Sequence, residues 1–92
     1  MLTAIVLINA DVDRIPEVAE AIADLDGVSE VYSVTGDIDL VALVRVREYD
    51  DLAEVVSDRL GKVQGVRQMR THIAFRSFSH IDLEEAFHIG LE

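Results

Sequence analysis

The chain contains no cysteine, which excludes a disulfide framework, a thiolate metal site and a cysteine nucleophile. Its core must hold by packing alone. No apolar stretch approaches the roughly 18 residues of a membrane span, and the run Met1–Ile8 lacks the basic flank and small-residue cleavage site of a secretory signal. A cytoplasmic location is therefore expected. Basic residues are few, eight against eighteen acidic ones, and the formal charge of −10 repels phosphate backbones and removes the counterion-release term of nucleic-acid binding. Direct binding to DNA or RNA is not expected. None of the five glycines falls in a GxGxxG or GxxxxGK pattern, so neither a nucleotide loop nor a cofactor is expected.

What the sequence does have is an apolar half of its 92 residues, enough for one compact core and too few for two. Thr3–Asn9 (TAIVLIN) reads as a buried strand. A helix then follows: Asp11 and Asp13 offer N-caps, Pro16 suits a first turn, and Ile15, Val18, Ala19, Ile22 and Leu25 recur at helical spacing until Gly27. Val28–Thr35 and Ile38–Arg47 read as strands of a hairpin turned at Gly36–Asp37. A second helix starts near Asp50, a third N-cap candidate, and puts Leu52, Val55, Val56 and Leu60 on one face before Gly61. Val66–Phe75 is the last strand.

This β-α-β-β-α-β order repeats at about 38 residues, the interval from Gly27–Val28 to Gly65–Val66. Two right-handed βαβ units predict an α+β, ferredoxin-like fold, with an antiparallel four-stranded sheet and both helices on one face. The first and third strands are nevertheless apolar on both sides: Ala4, Val6 and Ile8 oppose Ile5 and Leu7, while Leu40, Ala42, Val44 and Val46 oppose Val41 and Leu43. A sheet that is apolar on its uncovered face is an interaction surface, so a dimer packed sheet to sheet is expected. The alternative is that residues 76–92 fold back over the sheet.

The domain is expected to span residues 1–76, followed by a tail, 77–92, with a short helix capped by Ser79 or Asp82. Its Ile81, Leu83, Phe87 and Ile89 suit packing on a neighbouring subunit or on the domain's own edge. Ser79, His80 and Asp82 match a catalytic triad in type, but residues so near in sequence rarely converge as a triad must. No catalytic residue is assigned. His72, His80 and His88 contain no i,i+4 pair, and Asp11–Asp13 lacks the glycine and distal glutamate of a calcium loop, so no metal site is expected.

The segment Val34–Leu40 (VTGDIDL) is the most informative. Gly36 permits positive φ or close approach, Asp37 and Asp39 offer carboxylates, and Thr35 a hydroxyl beside turn amides. Such a loop can hold a small zwitterion, carboxylate on amides and ammonium on aspartate, although an ordinary hairpin turn uses the same residues.

Gly27–Val28–Ser29–Glu30–Val31, then Thr35–Gly36–Asp37–Ile38–Asp39, then Gly65–Val66 together resemble the Lrp/AsnC C-terminal ligand-binding domain, also called the RAM domain, over about residues 2–76. The resemblance implies dimers formed through the sheets, further assembly, and an amino acid or related small effector bound at clefts between dimers. It implies a ligand-binding set of Thr35, Gly36, Asp37, Ile38 and Asp39 together with Met69, Thr71 and Ile73, which share one face of the last strand by the two-residue period. Tyr32, Arg70 and His72 rank second. The family's Thr-x-Thr pair stands here as Met69–Arg70–Thr71, one hydroxyl short. Members carry an N-terminal helix-turn-helix domain, and Met1 here leads directly into the first strand, so the chain resembles a stand-alone form. It is expected to act as a non-enzymatic, amino-acid-responsive sensor associated with transcription regulation, through its own assembly or through a full-length relative.

Two other readings compete. A small dimeric α/β-barrel enzyme, such as a cofactor-less monooxygenase or isomerase, shares this plan, but the sheet offers it only Tyr32 and His72 as a polar pair. A ring-forming module without ligand fits the same residues.

Overall fold

The computed structural model describes residues 1–78. The expected tail helix, and with it Ser79, His80, Asp82 and His88, lies outside the described residues. In chain order the elements are β1 (Leu2–Ala10), a 3-10 turn (Val12–Arg14), α1 (Ile15–Ala23), β2 (Val28–Ser33), β3 (Leu40–Val46), α2 (Tyr49–Ala53), and β4 (Val66–Ile73). A π-helical stretch (Glu54–Arg59) and a 3-10 turn (Leu60–Lys62) continue α2.

The strands form one antiparallel sheet in the order β2-β3-β1-β4, as the two crossovers require. Alternation along β1 and β3 sends Ala4, Val6, Ile8 and Ala10, and Leu40, Ala42, Val44 and Val46, to one face. There they join Val18 and Ile22 of α1 with Leu52, Val55, Val56 and Leu60 of the second helix in a single core. Outward, the helices carry exposed carboxylates: Glu17, Glu20 and Asp24 on the first, Asp50, Asp51, Glu54 and Asp58 on the second.

The 38-residue repeat is a repeat of geometry. Leu25 N–H donates to Ile22 O and Val28 N–H to Leu25 O, at 3.1 and 3.2 Å; Val63 donates to Leu60 and Val66 to Val63 at the same two distances. Gly27 and Gly65 hold φ of +95° and +101° at these corners. A Cβ on Gly27 would stand 2.8 Å from Val55 Cγ2, and one on Gly65 would stand 2.6 Å from Val18 Cγ2. Each half's corner glycine thus seats a valine from the other half's helix.

Several local expectations need correction. Asp11 and Asp13 do not cap α1, because the 3-10 turn intervenes and leaves Arg14 at the N-cap without a side-chain bond. Asp11 instead accepts from Arg14 N–H through its backbone oxygen, at 2.9 Å. Asp50 lies inside α2, whose N-cap is Glu48 in extended conformation. The second helix widens to π geometry, where Arg59 reaches Glu54 five residues back at 2.9 Å. The β2–β3 connection is a six-residue loop, 34–39, and not a two-residue turn. β2 stops at Ser33 because Val34 N–H closes directly onto Asp39 O at 3.1 Å, which leaves the four residues between them outside the ladder. β4 ends at Ile73, short of Phe75, which is fully exposed.

Candidate functional site

The 34–39 loop is tied down at its ends. Val34 N–H donates to Asp39 O at 3.1 Å, Asn9 Nδ2 donates to Asp37 O at 2.9 Å, and Asp39 Oδ2 accepts from Ala10 N–H at 2.9 Å. Between these anchors, the N–H groups of Thr35, Gly36, Asp37 and Ile38 have no acceptor among the described residues. Thr35, Gly36 and Asp37 are exposed, while Ile38 and Asp39 are half-buried. Gly36 has φ +114°, and a Cβ there would meet nothing within 4 Å. The loop's crest is therefore open, with unengaged amides suited to a carboxylate and Asp37 suited to an ammonium.

Asp39 has a different part. With one oxygen on the Ala10 amide, it fixes the loop to the end of β1, where the register shifts between Asn9 and Ala10. Asp39→Ala is expected to strand that part-buried N–H and cost about 1–2 kcal/mol in urea unfolding. Asp39→Asn keeps an oxygen acceptor and is expected to lose much less.

Met69, Thr71 and Ile73 do share one face of β4, and it is the helix side: they pair with Ile8, Val6 and Ala4. Met69 packs half-buried against the core. Thr71 and Ile73 line a largely apolar cleft of about 260 Å³ with Tyr49, Leu52, Ala53, Val56 and Ser57. The structure does not bring this cleft to the loop. Loop residue Asp39 bonds to Ala10, whereas Ile73 pairs with Ala4, and six strand residues put them on the order of 20 Å apart.

Tyr32, Arg70 and His72 lie on the other face, opposite Val41, Leu7 and Ile5 in register. Tyr32 OH donates to the Glu30 carboxylate, which also stands 4.0 Å from Arg45. At the centre of this face, Ile5 pairs with Leu43 and Leu7 with Val41, all four half-buried and none covered by the described helices. An aliphatic centre is thus flanked by Glu30 and Tyr32 on one side and Arg70 and His72 on the other.

Sequence reasoning missed the cleft's second wall and the anchoring of Asp39. Tyr49, Ala53 and Ser57 recur every four residues beside the apolar stripe of their helix, a signal that was available. The Asp39–Ala10 bond spans 29 positions and left no local signal.

A model of the Lrp/AsnC ligand binding domain matches residues 3–82. An uncharacterized HTH-type transcriptional regulator of Pyrococcus furiosus is 31% identical over 72 residues, which are 78% of this chain and 49% of that protein. The chain thus spans about half the length of that curated relative. The Thermus thermophilus protein TTHA0845 is 45% identical with a TM-score of 0.81, over 87% of this chain and 100% of that one. A Neisseria meningitidis transcriptional regulator, solved as an L-Met complex, is 17% identical over 86% of this chain and 53% of that one; with a TM-score of 0.76, it shares the fold. No helix among the described residues is long and apolar enough to cross a membrane. By its match over nearly the whole described sheet and helices, the chain belongs to the Lrp/AsnC family of transcription-regulator ligand-binding domains, a regulatory and not an enzymatic family.

Proposed function

We propose that the protein is an effector-responsive regulatory domain that dimerises through the open sheet face and binds a small amino acid where copies meet. The observation that carries this reading is the aliphatic centre Ile5–Leu43 and Leu7–Val41, half-buried in one copy and ringed by polar side chains. That is the composition of an interface, an apolar middle with a polar rim, and a self-complementary face closes as a two-fold dimer. Tyr32, Arg70 and His72 then belong to the dimer rim.

The effector reading rests on two half-sites. The Thr35–Asp39 loop supplies amides and a carboxylate; the Thr71–Ile73 cleft supplies an apolar pocket for a side chain. One small molecule spans both only if they come from different copies, so the site forms between dimers and effector binding is linked to assembly. Ligand shifts that equilibrium only through different affinity for the two states. The L-Met bound by the Neisseria regulator makes an amino acid the first effector class to try. The same sheet face suits a full-length relative, which would let a chain of charge −10 act on transcription in the cytoplasm without holding DNA itself.

Light-scattering mass at fixed protein and salt, across a panel of amino acids, tests this reading. At least one amino acid is expected to change the mass, and Asp37→Ala is expected to weaken its calorimetric affinity about tenfold or more, as loss of a charged partner does. A panel without effect on mass or heat leaves a ligand-free module.

A further inference from the structure

We propose that the open sheet face sets His72 of each copy against the partner's Glu30, so that pairing of the copies tightens in acid; this rests on the sheet-face dimer proposed above. The open face is organised in rows. Register across the sheet aligns Glu30, Leu43, Ile5 and His72 in one row, and Tyr32, Val41, Leu7 and Arg70 in the next. Each row runs from a carboxylate or an aromatic ring on β2, through two aliphatic residues, to a cation or an imidazole on β4.

Charge selects how two such faces meet. Sheets packed face to face keep their strands aligned to within about 30°, which leaves two directions for a two-fold axis. An axis across the strands lays β2 on β2 and β4 on β4, and so gathers the Arg70 and His72 side chains of both copies at one edge and both Glu30 carboxylates at the other. An axis along the strands, between β1 and β3, turns each row end for end onto its own copy. Glu30 then faces the partner's His72, and Tyr32 the partner's Arg70, a cation over an aromatic ring. Between them Leu43 meets the partner's Ile5, and Val41 the partner's Leu7. The first arrangement opposes like groups and the second opposes complementary ones, so the second is favoured.

Both members of the new contact are available. Glu30 is exposed; its carboxylate accepts from Tyr32 OH and stands 4.0 Å from Arg45, the outer limit of an ion pair, which leaves acceptor sites free. His72 is exposed, and its ring has no hydrogen bond or ion pair among the described residues. Its β1 neighbours Thr3, Ile5 and Leu7 carry no charge, and Arg70 lies two residues along its own strand. Across the interface it meets the partner's Glu30 directly, with the partner's Tyr32 and the partner's Arg45 to either side. The carboxylate is the nearest charge of all, so it favours the imidazolium, and proton uptake accompanies dimerisation.

The absence of native cysteine allows the orientation to be tested in the full chain. Glu30→Cys and His72→Cys variants are expected to form disulfide dimers when oxidised as a mixture and none when oxidised separately. In sedimentation, the dissociation constant of the unsubstituted protein is expected to fall about fivefold from about pH 8 to about pH 6, as two rim ion pairs form. His72→Gln and Glu30→Gln are each expected to remove most of that fall, leaving the slope due to the net charge of −10. His72→Arg is expected to hold the tighter form at both pH values. Disulfides formed by Glu30→Cys alone, or a pH response unchanged in His72→Gln, overturn the proposal while leaving the sheet-face dimer standing. A protein monomeric at all concentrations removes both.

Discussion

Gly65→Ala is expected to cost about 2–6 kcal/mol of folding stability, a large share of what a domain of this size has. Two effects add. At φ +101° an alanine sits outside the regions open to L-residues, a strain of about 1–3 kcal/mol. Its methyl would also lie 2.6 Å from Cγ2 of Val18, a side chain held in the core with no room to retreat, and such overpacking costs about 1–3 kcal/mol more. The molecule contains its own control. Gly36 has a similar φ of +114° but open space around it, so Gly36→Ala incurs the strain alone. Urea midpoints of the two variants separate the effects, and Val18→Ala combined with Gly65→Ala should recover part of the overlap and none of the strain. Equal losses at Gly36 and Gly65 would show that Val18 moves aside freely, and the seating of valine by glycine would then count for little.

Leu43→Asp is expected to turn the protein into a folded monomer. Leu43 pairs with Ile5 at the middle of the open face, where it is half-buried in one copy and fully enclosed in the proposed dimer. A carboxylate enclosed without a partner costs several kcal/mol, and two-fold symmetry imposes the cost twice. Even about 3 kcal/mol weakens dimerisation roughly a hundredfold. The monomer itself loses little, because the side chain never entered the core between sheet and helices. Sedimentation across micromolar concentrations reads the first effect and circular dichroism the second. A dimer that survives the substitution with native affinity would move the interface elsewhere.

The order of elements was legible because each leaves a local mark: a continuous apolar run rich in β-branched residues along Thr3–Asn9 and Ile38–Arg47, and a spacing near four along the helices. The matching Gly-Val corners and the doubly apolar β1 and β3 were legible for the same reason. Helix starts were not. Asp11, Asp13 and Asp50 are good capping residues by type, yet whether a carboxylate caps depends on where the first turn begins, and the 3-10 turn at Val12–Arg14 and the early start at Tyr49 displaced all three. The widening at Glu54–Arg59 has no proline or glycine to announce it. At the site, strand alternation correctly grouped Met69, Thr71 and Ile73 but could not say which side of the sheet they faced. Their separation from the loop follows from the β1–β4 register, and the role of Asp39 follows from a bond between strands two places apart in the chain order.

The crossed seating of Val18 on Gly65 and of Val55 on Gly27 also bears on how such a repeat can be inherited and how it can fail. In a solenoid each unit stacks on the next, the ends stay open, and units are added or lost along the array. Here the two units close on each other, and each supplies what the other's corner lacks. A third unit would find no vacant corner, and a single unit would leave its own corner empty. Half-folded forms therefore have little to stabilise them, so unfolding should proceed as one cooperative event, and surviving sequence changes at the two corners should come as pairs that span the whole chain.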